Sequence, residues 1–287
     1  MDEDKKINIV LFALTGFGNT VLDALLRHGK VSVKGVFTFK YGNPCPYYEE
    51  RQLIDLCNER GVTCYHGFSV NSHEGISILQ ELSPDLIFVA TFKQILNESV
   101  LSISPLGVVN FHPSLLPQYR GPCPTSAALF HDEQVTGVTV HYVAKEVDEG
   151  NILLKKSMII DDSDYDGQLR QKLAKLSGEI VPEVIDLFSD FTRPAGKPQE
   201  KSISRLAPRP EIEDGHIELA GDIDTIRRKL RAYNPLPGTS ILIGGRRIPV
   251  DRFELFQDNR PDGVYEGRNA IDVIIHSRGI RLVKKFD

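Results

Sequence analysis

Apolar residues fall in short runs divided by stretches of helical spacing, and the alternation begins at Ile7. Ile7 to Leu14 predicts a buried strand, Gly16-Phe17-Gly18-Asn19 a turn, and Thr20 to Arg27 a helix, its apolar residues three or four apart. Val31 to Phe39 predicts a second strand. A Gly-Asn-Pro-Cys-Pro loop then leads to a helix from Tyr47 to Arg60, a short edge at Cys64 to His66, and a helix from Gly75 to Leu82. Leu86 to Ala90, Val108 to His112 and Gly137 to Val143 are further apolar strands. Strands alternating with helices imply right-handed crossovers and a mostly parallel sheet. The expectation is an α/β domain over residues 1–203, doubly wound and Rossmann-like.

The pattern changes at Thr192-Arg-Pro-Ala-Gly-Lys-Pro-Gln-Glu200, a polar stretch rich in proline that reads as a linker. Beyond it lie one helix, Asp222 to Tyr233, and short β-type runs at 240–243, 248–256, 263–265, 270–275 and 280–284. Evenly spaced short strands predict a small β-rich domain over residues 204–287, barrel-like in the manner of an OB fold.

Composition narrows the class. The 287 residues are 41% hydrophobic and 25% charged, ordinary for a globular chain with a core of its own. A net charge of -5 draws the chain neither to nucleic acid nor to an anionic membrane. The four cysteines form no Cys-x-x-Cys pair, so neither a zinc ribbon nor a redox motif is supported. Free thiols, an acidic amino terminus and no run of 18 apolar residues predict a cytoplasmic protein without a membrane span. The sequence leaves the oligomeric state open, a homodimer included.

Gly16-Phe17-Gly18 follows the first strand, but Val21 stands where a dinucleotide fingerprint needs its third glycine. The second strand ends in Phe37-Thr38-Phe39-Lys40, without the acid that would bind a ribose. These glycines read as a tight turn.

One segment departs from ordinary core: Asn110-Phe-His112-Pro-Ser114-Leu-Leu-Pro117-Gln-Tyr-Arg120-Gly121-Pro122. On a strand, residues two apart share a face, so Asn110 and His112 are expected to point together. Their place is the carboxyl end of a strand, where open α/β sheets bind ligands. Further on, Glu146-Val-Asp148-Glu149-Gly150 puts an acid at a glycine turn. An amide can stabilise an oxyanion, an imidazole can take a proton near neutrality, and a carboxylate can orient it. That set suits acyl transfer to an amine. Ser114 lacks a nucleophile elbow and reads as loop structure. His66, His73, His112, His131 and His141 show no metal-ligand spacing, so no metal is expected.

The same loop resembles the signature of the formyltetrahydrofolate-dependent formyltransferases. Val138-Thr139 and Val147-Asp148-Glu149-Gly150 resemble that family's second motif, and Leu206-Ala-Pro-Arg209 and Tyr233-Asn-Pro-Leu-Pro-Gly238 its carboxyl-terminal module. The resemblance implies catalysis by Asn110 as oxyanion donor, His112 as handler of the amine proton and Asp148 as its partner, with 10-formyltetrahydrofolate as co-substrate. It implies a pterin site from Phe88, Ala90, Thr91, Phe92, Lys93, Ile95 and Leu96, joined by Leu116, Val147 and Gly150.

Three acceptors suit such a family: a nucleotide-linked amino sugar, the methionine of initiator tRNA, and a small free amine. The third group usually lacks a carboxyl-terminal barrel. The tRNA enzymes typically carry a Gly-Arg-Gly loop where this chain has Gly42 to Glu49. From Ser204 onward 15 Lys and Arg face 13 Asp and Glu, too even for a surface that grips phosphates. Arg227 and Arg231, one helical turn apart, read as solvated helix charges. The expectation is a small-molecule amine on a nucleotide-activated sugar, with Tyr47, Tyr48 and Arg120 as acceptor-binding residues and no nucleic acid. Methionyl-tRNA formylation is the first alternative, and a folate-binding or formyl-folate-hydrolysing relative without an acceptor the second.

Overall fold

The computed structural model describes residues 5–41, 48–200, 205–219 and 222–285. They form two compact units. The first holds residues 1–121, 135–159 and 170–206. The second holds 207–287 together with two earlier segments, 122–134 and 160–169.

In the first unit β1 (Ile7–Ala13), β2 (Val31–Phe37), β3 (Cys64–Tyr65), β4 (Leu86–Ala90) and β5 (Val108–His112) alternate with α1 (Phe17–Arg27), α2 (Leu53–Arg60), α3 (His73–Leu82) and the single turn α4 (Glu98–Leu101). The sheet is completed by β6 (Val135–Tyr142) and β7 (Ile152–Ile159), in the order β3-β2-β1-β4-β5-β6-β7. The first five strands pair in parallel; β6 runs antiparallel to β5 and β7 to β6. β1 and β4 are buried almost throughout, as strands covered on both faces must be. Val10, Phe12, Phe37, Leu79, Ile87 and Val89 pack into one of the unit's cores. The helices α6 (Asp166–Glu179) and α7 (Val181–Asp186) follow β7.

One local feature differs from the sequence reading. The helix expected from Tyr47 to Arg60 runs over Leu53–Arg60, with Gln52 extended before it: Leu53 N–H donates to Thr15 Oγ1 at 3.0 Å and Asn19 Nδ2 to Arg51 O at 2.9 Å. Gly16 has φ 98°, and a Cβ there would strike the Tyr48 ring, so this turn needs glycine to seat the tyrosine.

The second unit contains α5 (Pro124–Phe130), β8 (His216–Ile217) and α8 (Ile223–Tyr233), capped by the Asp222 carboxylate on the Asp224 and Thr225 N–H groups. Then come β9 (Thr239–Ile243), β10 (Arg246–Gln257), β11 (Gly263–Glu266), β12 (Ala270–Ile275) and β13 (Arg278–Lys284). They form a six-stranded sheet, β11-β12-β13-β10-β9-β8, curled as half a barrel over Ile226, Leu230, Ile271 and Leu282. The α8 arginines are not solvated as their spacing suggested. Arg231 is 2% exposed, donating to Asp164 O at 2.9 Å and Asp161 O at 2.8 Å, and it shares Asp132 with Arg227. A guanidinium can enter a core when its hydrogens all find acceptors. No helix among the described residues is long and apolar enough to cross a membrane.

Candidate active site

The site is assembled at the end of β5. Register pairs Asn110 with His141 and His112 with Thr139 across β5 and β6, and directly opposed residues share a face. Past β6 the chain turns through Asp148, whose φ of 55° is left-handed without being glycine. Gly150 makes the turn possible, since a Cβ there would lie 1.8 Å from Tyr142 O. Gln199 ties the turn down, its Nε2 donating to both Asp148 O and Gly150 O at 2.8 Å.

Asp148 thereby enters the Asn110–His112 face. Its Oδ2 accepts from Gly121 N–H at 2.9 Å and lies 3.5 Å from His112 Nδ1. Its Oδ1 lies 3.5 Å from both Asn110 Nδ2 and His141 Nε2. His112 Nε2 donates to Tyr119 O at 2.9 Å, so Nδ1 is the ring atom open to a further proton. His141 Nδ1 meets Tyr142 O at 2.8 Å, and its Nε2 meets Asn110 Nδ2 at 3.1 Å.

Charge follows from these contacts. Burial pushes the His112 pKa down and Asp148 pulls it up without overcoming that loss. Burial opposes the charge on Asp148, but His112, His141 and the Gly121 N–H outweigh it and bring its pKa down to about 2. Both partners move downward because Asp148 has several stabilising neighbours, whereas His112 has one carboxylate against nearly complete enclosure. The resting pair is a neutral imidazole beside a carboxylate. A proton reaching Nδ1 would gain Asp148 as partner while Nε2 keeps Tyr119.

The loop after His112 is fixed by Thr139, Lys155 and Arg120, the last of them expected from the sequence to bind the acceptor. Thr139 Oγ1 donates to Ser114 O at 2.6 Å and accepts from Leu116 N–H at 3.0 Å; Lys155 Nζ, its pKa lowered by burial, reaches Leu116 O. Arg120 is buried and donates to Glu149 at 2.7 Å. Three left-handed residues that are not glycine surround the strand ends: Thr91 at φ 55°, Tyr119 at 61° and Asp148 at 55°. Such conformations require about 1–3 kcal/mol each and gather where chemistry needs a fixed group.

The expected pterin residues divide in two. Phe88, Ala90, Leu96 and Leu116 are buried, Phe88 against Phe111, leaving their backbone for any ligand. Ile95 and Val147 are 75% and 55% exposed; Phe92 stacks on Phe12, and Lys93 lies over the Tyr41 ring. Tyr48 rests on Gly16, its hydroxyl 3.4 Å from Thr15 O, and Tyr47 lies outside the described residues. Among the described residues no cluster of His, Cys, Asp or Glu is arranged to hold a metal ion.

An amide, an imidazole and a carboxylate thus meet around one strand end, a set whose chemistry suits acyl transfer. The formyl transferase family model matches residues 7–185, and the chain belongs to that family. A methionyl-tRNA formyltransferase of Syntrophus aciditrophicus is 38% identical over 61% of this chain and 56% of its own, so the chain covers little more than half of that relative. The methionyl-tRNA formyltransferase of a Thermotoga strain is 35% identical over 85% of this chain and 78% of its own. The fold is that of the Helicobacter canadensis N-formyltransferase crystallised with folinic acid and dTDP-3-aminofucose (TM-score 0.75, 17% identity, 97% and 100% of the two chains).

Proposed function

We propose that this chain transfers a formyl group from 10-formyltetrahydrofolate to the amine of a nucleotide-linked amino sugar. The observation that carries the transfer reading is the convergence of Asn110, His112 and His141 on one carboxylate, Asp148. The exposed apolar surface of Ile95 and Val147, with backbone at the end of β4, fits a flat ring with a polar rim. The bound folate would supply the electrophilic formyl carbon and leave as tetrahydrofolate. His112, neutral at rest, takes the proton of the attacking amine at Nδ1, and Asp148 stabilises the imidazolium that results. Asn110 faces the oxygen on which charge grows.

The sugar is favoured by the way the second unit uses its basic residues. Arg227 and Arg231 share Asp132, Arg278 pairs with Asp224, Arg260 and Arg281 share Asp272, and Arg246 and Lys284 share Glu266. Cations already paired have less to gain from phosphates. Methionyl-tRNA is the second reading, favoured by the sequence relatives. Incubation with 10-formyltetrahydrofolate and either dTDP-linked amino sugars or methionyl-tRNA, read by mass spectrometry, separates them. A formylated sugar is expected. Formyl-methionyl-tRNA, made with a steep salt dependence, would reverse the acceptor, and tetrahydrofolate released without an acceptor would mean hydrolysis.

A further inference from the structure

The hydrogens between Asn110 and His141 can be counted. Tyr142 O can only accept, so the nitrogen that meets it at 2.8 Å, His141 Nδ1, carries the ring proton. Nε2 of the neutral ring is then a lone pair, and it takes one hydrogen of Asn110 Nδ2 at 3.1 Å. The second Nδ2 hydrogen has Asp148 Oδ1 at 3.5 Å. Both amide hydrogens are engaged, and the end of Asn110 left for a reactant is Oδ1, an acceptor. An oxyanion needs a donor. Turning the amide over would set Oδ1 against a lone pair and a carboxylate, and a hydrogen on Nε2 would turn the nearer of the two, at 3.1 Å, into a donor.

We infer that His141 is the positioning residue of Asn110, and that a proton on His141 Nε2 decides whether the Asn110 amide offers its oxygen or its N–H to the reactants. With Nε2 bare, Oδ1 accepts from the incoming amine and aims the amine lone pair at the formyl carbon. With Nε2 protonated, Nε2–H donates to Oδ1 and the amide N–H is released to the developing oxyanion. His141 itself is 1% exposed and reaches the reactants through Asn110. The groups facing its ring are Asp148 from the turn after β6, 3.5 Å from Nε2, and His112 from β5, with ring centres 6.2 Å apart; β7 places Ile152 opposite it. The contribution to turnover rests on the formyl-transfer reading, whereas the hydrogen arrangement does not.

Nuclear magnetic resonance of the full chain labelled with [15N]histidine and [15N]asparagine tests the arrangement without any ligand. His141, assigned by loss of its signals in His141→Phe, is expected as the Nδ1–H tautomer, and the Asn110 amide hydrogens should shift as acid adds the second ring proton. A neutral Nε2–H tautomer, or Asn110 signals indifferent to that proton, overturns the inference. With 10-formyltetrahydrofolate and a dTDP-linked amino sugar, His141→Phe should lower kcat about a hundredfold, as loss of an oxyanion donor does, with the folate KM unchanged. The same substitution should have no further effect beside Asn110→Ala. His141→Gln, whose side-chain N–H can meet Oδ1, should recover most of kcat. A full loss in the Asn110→Ala background, or no recovery by His141→Gln, is the contrary result. If no acceptor is formylated, the transfer reading falls and the resonance measurement still decides the inference.

Discussion

Arg120 donates to Glu149 at 2.7 Å one residue along from the place where Gly121 N–H holds Asp148 at 2.9 Å. Two rungs therefore tie the proline-rich loop to the acidic turn, one reaching the reacting carboxylate and the other an ion pair beside it. Removing one partner of a buried pair costs about 3–5 kcal/mol because the other charge is stranded. The Arg120 side chain is 7% exposed and that of Glu149 25%, so the penalty is unequal and the Glu149 side is partly screened. Glu149→Ala is expected to destabilise more than Arg120→Met, and the double substitution less than their sum. Urea denaturation of the three variants checks this; additive losses would mean the rung carries no coupling.

The pH profile follows from the His112–Asp148 pair. Burial keeps the His112 pKa below the ordinary 6.5, so its proton-accepting form dominates at neutrality and the acid limb of kcat should lie below that value. Asp148, with a pKa of about 2, stays ionised throughout and contributes no limb of its own in the working range. Asp148 raises the His112 pKa, so Asp148→Asn should move the acid limb to still lower pH while reducing kcat. A limb that moves upward in this variant would contradict the assignment.

The three central side chains act on one developing charge. Asn110→Ala, His112→Ala and Asp148→Ala should each lower turnover by about a hundredfold or more, as loss of an oxyanion or acid–base group does. Their double combinations should fall short of the product of the single losses. Circular dichroism should stay native for His112→Ala, and steady-state kinetics of the full set makes the comparison.

Folate binding should be visible as stabilisation. Tetrahydrofolate at a hundred times its dissociation constant adds about 2.7 kcal/mol to the folded state and raises Tm accordingly. Calorimetry that detects no tetrahydrofolate binding at millimolar concentration would remove the donor. Val147→Asp, which puts a charge on exposed apolar surface beside Asp148, should weaken that binding and leave Tm without ligand unchanged.

The sheet was legible wherever burial on both faces wrote a continuous apolar run, as in β1, β4 and β5. β7 was not, because Lys155 and Lys156 interrupt it; charges of this kind guard the outer strand of a sheet. Asn110 and His112 could be paired from their two-residue spacing alone. His141 could not be joined to them, since nothing in the sequence announces that β6 turns antiparallel and brings it level with Asn110. The available signal was Thr139 and His141 alternating with valine in an apolar strand. The burial of Arg231 was hidden for a similar reason: its acceptors, Asp132, Asp161 and Asp164, are about 70 to 100 residues away in the chain.

Thr91, Tyr119 and Asp148 set a conflict for anyone seeking a hardier version of this protein. Each sits in a backbone conformation that glycine adopts without strain, so a survey for stabilising substitutions would be drawn to all three. At Asp148 the exchange deletes the carboxylate outright. At Tyr119 it frees the peptide whose carbonyl holds His112. Thermal tolerance and turnover are therefore opposed at these positions, and selection for heat resistance alone should drift toward a robust protein with a slack site.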